Sequence, residues 1–170
     1  MMTRPSRLLA ATLASFAWLV LGSFTALAGD AQAPSDSPFK DLPGRWVGEG
    51  KLGLKDGKIE TVKCRATYFL SNDGSELKQN IRCASASGKI EVQSVLTYKD
   101  GRLSGKWNEL IYNLGGDLTG QVMPTGFRIN VRGEALTANM EVIVREGKQI
   151  IEIQFFSETL VGLTLVLAKD

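Results

Sequence analysis

The chain has 170 residues, with 20 basic and 18 acidic side chains, two cysteines and no histidine. That balance leaves no electrostatic footprint for nucleic acid or an anionic membrane surface. The missing histidine removes the usual general base, the commonest zinc ligand and every Ser-His-Asp arrangement.

At the N-terminus, Arg4 and Arg7 precede an uncharged, largely apolar stretch from Leu8 to Ala28. It ends in Ala26-Leu27-Ala28, the small-x-small pattern of a signal peptidase site, so residues 1–28 read as a signal peptide cleaved before Gly29. An uncleaved anchor is the alternative, since the stretch is long enough to span a bilayer; Ser15, Gly22, Ser23 and Thr25 dilute its apolar face. The expected location is the periplasm or beyond it. Because Arg4 and Arg7 leave with the leader, 18 basic residues remain against 18 acidic ones, and the apparent basicity belongs to the leader. Residues 29–41 are small, polar and proline-bearing, and read as a flexible lead-in, with one short helical turn expected near Pro38 to Leu42.

From Leu42 to Asp170 the pattern is that of a single all-β domain. Apolar residues alternate with polar ones in short runs, separated by Asp56-Gly57, Asn72-Asp73-Gly74, Asp100-Gly101 and Glu146-Gly147, all hairpin-turn pairs by residue type. Turn signals recur roughly every ten to fifteen residues, which predicts a meander of about eight to ten antiparallel strands. Closing the meander into an up-and-down β-barrel removes both exposed edges. A β-sandwich is the alternative architecture.

The alternation assigns Trp46, Gly48, Gly50 and Leu52 to the inner face of the first strand. Val62, Cys64, Ala66 and Tyr68 follow on the second, and Leu77, Gln79, Ile81 and Cys83 on the third. Trp107, Glu109 and Ile111 are expected inside a later strand, and Val161, Leu163, Leu165 and Leu167 inside the last. A hairpin that pairs Leu70 with Leu77 also pairs Tyr68 with Gln79 and Cys64 with Cys83. A Cys64–Cys83 disulfide closes a loop of about 20 residues and contributes roughly 3 kcal/mol by loop entropy. The pair reads as structural, since no Cys-x-x-Cys motif is present.

The chain carries no phosphate loop and no nucleophile elbow, and no metal or cofactor is implied. It is therefore expected not to be an enzyme. Glu109 is the one carboxylate that alternation places on an apolar face, beside Trp107. Burial that raised its pKa would make it a functional candidate, with Tyr68 or another polar group as its partner; a place at the barrel rim is the alternative. Tyr68 and Gln79 either orient a ligand or hydrogen-bond each other in the core. Lys63, Arg65, Lys78 and Arg82 share the outer face of the cysteine hairpin, where an anionic envelope component is the sharper reading and a solvated face the ordinary one.

Leu42-Pro43-Gly44-Arg45-Trp46-Val47-Gly48-Glu49-Gly50 resembles the Gly-x-Trp first strand of the calycin superfamily, which includes lipocalins and fatty-acid-binding proteins. The resemblance implies a barrel in which Trp46 packs across the closed end. No arginine stands in Leu160 to Lys169 to cover it. Lys63 to Tyr68, Gln79 to Ile90 and Gly105 to Glu109 are similar to a group of small secreted proteins of rhizobial-type bacteria. That likeness implies location and architecture rather than an activity.

The leading expectation is thus a periplasmic, calycin-like barrel holding a small apolar or amphipathic ligand. Small inward residues (Gly48, Gly50, Ala66, Gly105, Gly120, Ala138) would leave it room. Trp46, Tyr68, Gln79, Trp107 and Glu109 are the candidate ligand-binding residues. The other expectation is a structural protein acting through its outer surface on an envelope component.

Overall fold

The computed structural model describes residues 37–170; the signal peptide expected over 1–28 and the first part of the lead-in lie outside the described residues. Ten antiparallel strands follow one another: β1 (Gly44–Leu54), β2 (Ile59–Leu70), β3 (Glu76–Ala84), β4 (Lys89–Lys99), β5 (Arg102–Glu109), β6 (Leu114–Met123), β7 (Gly126–Gly133), β8 (Thr137–Arg145), β9 (Lys148–Phe155) and β10 (Leu160–Lys169). Each pairs with its neighbour in the chain, and β10 returns to β1, giving a closed up-and-down barrel rather than a sandwich. The described residues contain no helix. This is the barrel that the calycin resemblance implies.

Period-two alternation produces this shape because successive side chains leave opposite faces of a strand. The inner face collects Trp46, Ala66, Tyr68, Leu77, Leu96, Leu103, Trp107, Ile129 and Leu167, all buried. The outer positions of β2, Lys63, Arg65 and Thr67, are polar or partly exposed. A barrel that crosses a membrane has the reverse arrangement, apolar outside and polar inside.

Two inward expectations fail for local reasons. Ile111 lies in the turn after β5 and is 52% exposed. Val161 is turned outward by a register shift at Gly53/Leu54, which pairs Leu54 with Leu160.

Turns that need positive φ use the residues chosen for them. Asp100 and Gly101 have φ of 50° and 78°, and Glu146 and Gly147 have 52° and 70°. Two consecutive positive values define the turn whose twist matches that of the flanking strands. Both turns lie at the same end of the barrel as the start of β1.

That end is closed. Leu42 N–H donates to the Phe39 carbonyl across a turn at 2.9 Å, and Phe39 and Leu42 are buried over the end of the barrel. Trp46 Nε1 donates to the Leu42 carbonyl at 2.7 Å, and Ser37 Oγ donates to the Gly74 carbonyl at 2.6 Å. The Phe39 ring stands 5.5 Å from that of Phe127. Residues 37–41 of the expected lead-in therefore cap the barrel. Trp46 is fully buried, and the Lys169 ammonium sits 5.6 Å from its ring centroid, so a lysine occupies the covering place for which the last strand has no arginine.

Cys64 and Cys83 are register partners joined by a disulfide, with Tyr68 opposite Gln79 in the same ladder. The bond fixes the pairing of β2 with β3, since a slip of one residue would turn one cysteine outward.

The small inward residues do not leave the room expected of them. A Cβ on Gly48, Gly50 or Gly105 would overlap the carbonyl oxygen of Val166, Thr164 or Val95 on the adjacent strand. Strand coiling turns these positions toward neighbouring backbone, and that backbone takes the space. Gly48→Ala should therefore cost about 3 kcal/mol or more, as overpacking against rigid backbone does, read as a lower urea midpoint. Replacing both cysteines with alanine should cost roughly 3 kcal/mol in the same measurement.

Candidate functional site

The interior is plugged at one end and open at the other. Near the closed end, Tyr68 Oη donates to Gln149 Oε1 at 2.9 Å across the barrel, and both side chains are buried. Burial pushes the Tyr68 phenol above its ordinary pKa, and the bond to Gln149 offsets only part of this. Tyr68 thus faces Gln79 along the ladder but spends its hydroxyl on Gln149. A cavity of about 30 Å³ lies beside Gln79, Tyr68, Gln149, Ile81 and Met140. That is space for about one water molecule and far below the ~300 Å³ at which small-molecule sites begin. Ser94, between Gln79 on β3 and Trp107 on β5, is buried, and its hydroxyl has no hydrogen-bond partner among the described residues.

Toward the open end the apolar lining is only half buried, at Leu52, Ile81, Val92, Ile153 and Phe155. The mouth itself is a depression of about 200 Å³ lined by Leu52, Val62, Tyr112, Phe155, Leu160 and Leu163, with Ser85, Ser87 and Lys89 on its polar side. Cys83 is part of this wall, so the disulfide braces it.

Trp107 and Glu109 belong to the half of β5 that leads to this end. Trp107 Nε1 donates to the Arg132 carbonyl at 3.4 Å, and its ring lies where a side chain on Gly133 would stand. Glu109 is 5% exposed, and its carboxylate is committed to backbone. Oε1 accepts the Glu91 N–H at 2.9 Å, and Oε2 accepts the Tyr112 N–H at 2.6 Å. Burial works to raise its pKa, but the backbone N–H groups of Glu91, Tyr112 and Ile111 outweigh it, and the carboxyl lies below its ordinary value. A carboxylate held ionised by peptide donors anchors a turn; it is not poised to exchange a proton near neutrality. Trp46 and Tyr68 are thus brought together with the cap, and Trp107 and Glu109 toward the mouth, without a single site containing all five.

Sequence reasoning missed Gln149 because it lies one residue beyond the Glu146-Gly147-Lys148 turn, where a polar side chain ordinarily faces solvent. Its two-residue spacing from inward Ile151 was the available signal. Tyr112 and Leu160 were missed because turn and bulge residues do not follow alternation. On the outer face, Arg82 pairs with Glu91 at 2.8 Å and Lys78 with Glu76 at 3.5 Å, so two of the four basic residues of the cysteine hairpin already have partners.

No protein-family model matches the sequence, and no curated protein matches it. Among solved structures the chain is similar to an S-type phycobiliprotein lyase from Guillardia theta, with 13% identity and a TM-score of 0.56, over 78% of this chain and 90% of that one. The likeness shows the fold. It also corrects one expectation: absent catalytic constellations were read as the mark of a chain that is not an enzyme, yet a barrel of this fold is an enzyme by its description. The absent motifs therefore give no ground for setting catalysis aside.

Four carboxyls, Asp56, Glu60, Asp73 and Glu109, lie below their ordinary pKa values and give the barrel a defined acid response. Asp73 accepts from Ser71 Oγ, the Ser75 N–H and Ser75 Oγ, and these bonds lower its pKa from 3.8 to about 2. Glu109 is lowered from 4.5. Groups with depressed folded pKa values stabilise fully above their unfolded values, and that contribution is lost as pH falls through the folded ones. The urea midpoint should therefore be level near neutrality and fall from about pH 4.5 toward pH 2. Glu109→Gln should lower the stability at pH 7 by about 2 kcal/mol, the worth of hydrogen bonds to a charged group, read as a lower urea midpoint with a flatter dependence below pH 4.5. An unchanged acid limb in that variant would show that Glu109 does not anchor the turn.

Proposed function

We propose that the protein is an exported, calycin-like barrel that holds a small apolar or amphipathic molecule at its open end. The observation that carries this reading is the mouth: an apolar depression of about 200 Å³ opposite an end sealed by Phe39, Leu42 and Trp46. Its volume lies below the ~300 Å³ of a typical small-molecule pocket, so the mouth takes in one ring or a short acyl segment of a molecule, with the remainder and its polar part left toward solvent. Ser85, Ser87 and Lys89 stand on the side where such a polar part would emerge.

Trp46, Tyr68 and Gln79 then serve the sealed end, Trp107 packs the wall, and Glu109 shapes the rim. Leu52, Val62, Phe155, Leu160 and Leu163 make the contacts. A phycobiliprotein lyase built on a similar barrel supports a fold suited to handling a small molecule. Export to the periplasm or beyond is supported by the Arg4/Arg7 leader with its Ala26-Leu27-Ala28 site and by the disulfide, which persists in oxidising compartments.

The test combines retention and displacement. Native mass spectrometry of protein purified from its own cells should show a bound species that organic solvent releases. The fluorescent probe 1-anilinonaphthalene-8-sulfonate should compete with it, and Leu52→Trp, which fills the mouth, should weaken probe binding roughly tenfold, as loss of one apolar contact surface does. No retained species, together with equal probe binding by wild type and Leu52→Trp, would contradict the reading.

A further inference from the structure

On two parts of the outer wall a basic residue meets an acid directly across the ladder: Lys106 on β5 pairs with Asp117 on β6, and Arg128 on β7 with Glu141 on β8. The outer face of the cysteine hairpin is built differently. Arg65 lies opposite Arg82 on β3 and opposite Val47 on β1, while Lys63 lies opposite Ala84 and Glu49. Among the described residues Lys63, Arg65 and Lys89 make no ion pair. Like charges directly opposite one another are destabilising on a sheet. The apposition of Arg65 and Arg82 is therefore a cost that folding alone does not call for.

These cations surround a pit. Ala84, with only a methyl group, has Lys63 on one side and Lys89 of β4 on the other, each one strand spacing of about 4.8 Å away. Arg82 stands two residues along β3, with Arg65 beside it. Glu91 binds Arg82 through one guanidinium nitrogen at 2.8 Å, and the Glu91 N–H is itself held by the Glu109 carboxylate. Arg82 is thus oriented in advance and still exposed. The pit belongs to an open groove of about 720 Å³ whose apolar side is Val47, Ile90 and Ile111.

We infer that this groove binds a phosphate monoester, with its phosphate over Ala84 and its organic part along Val47, Ile90 and Ile111. The charge argues for a dianion. Four cations against the two carboxylates of the groove, Glu49 and Glu91, leave a net charge of +2. A phosphate monoester carries about −2 near neutral pH, and a carboxylate only half of that. Guanidinium forks match phosphate oxygens in pairs, and the two ammonium groups add compact point charges. The apolar side gives an ester contacts that inorganic phosphate lacks. The groove adjoins the mouth, and Ala84, Lys89 and Ile90 line both, but its charged part lies on the outer wall and does not require the mouth to be filled.

Two-dimensional NMR titration of the labelled protein with phenyl phosphate tests the assignment. Shifts should centre on Lys63, Arg65, Arg82 and Ala84, and affinity should fall as salt rises. Benzoate and inorganic phosphate should each bind roughly tenfold more weakly, the first for its charge and the second for its missing ring. Arg65→Gln and Lys63→Gln should each weaken phenyl phosphate roughly tenfold, as loss of one charge-assisted contact does. Lys106→Gln, which removes a cation already paired with Asp117, should leave affinity within twofold, and melting curves verify that all variants fold. Binding of 1-anilinonaphthalene-8-sulfonate is measured on the same variants, so that failure of the mouth and failure of the groove are read separately. No binding of phenyl phosphate, shifts centred on Leu52, Val62 and Phe155, equal affinity for benzoate or inorganic phosphate, or equal loss on Lys106→Gln would each overturn the inference.

Discussion

Closure of the sheet between β1 and β10 is the constraint on which the rest of the molecule depends. The seam pairs Gly48 with Leu167 and Gly50 with Leu165, and a side chain on either glycine would run into the backbone of β10. With the seam shut, every strand has two neighbours and no edge remains to pair with another chain. The same seam brings Lys169 over Trp46 and Asp170 to Arg45, at 2.7 Å, so the first and last strands also seal the bottom. A closed wall with a sealed bottom leaves the mouth as the way into the interior.

Much of this was legible in the residues. The strand faces follow from period-two alternation, and the β2–β3 register follows from two cysteines and a tyrosine–glutamine pair that fall opposite one another once Leu70 meets Leu77. Trp46 was identifiable as the closing side chain from its Gly-x-Trp context. What was not legible depends on contacts between distant strands. A glycine in a strand reads as missing volume, but whether that volume is empty or taken by a neighbour's carbonyl depends on how the strands coil. Phe39 sits in a segment whose composition is that of a flexible tail, and only the barrel's open bottom gives it something to cover. Gln149 finds Tyr68 across 81 residues of sequence, with no local sign.

Glu109 shows how a candidate site can change meaning without moving. Alternation placed it inward beside Trp107, and it is buried there. Its acidity is decided by partners that alternation cannot show, the N–H groups of the turn that follows it, which hold it ionised. The residue thereby links interior to rim: it fixes the shape of the Leu110–Tyr112 turn, which borders the mouth and forms the most apolar part of the open end. The proposed site lies where regular structure stops, which is why the strand pattern describes the scaffold better than the site.

The central claim is that the open mouth, and not the sealed interior near Tyr68 and Gln79, receives a small apolar molecule. Two-dimensional NMR of the labelled protein titrated with 1-anilinonaphthalene-8-sulfonate tests it most directly. Shifts confined to Leu52, Val62, Tyr112, Phe155 and Leu163 are the expected result, with Trp46, Tyr68 and Gln149 unmoved. Shifts centred on Tyr68, Gln79 and Phe39, reporting entry through the capped end, would contradict it.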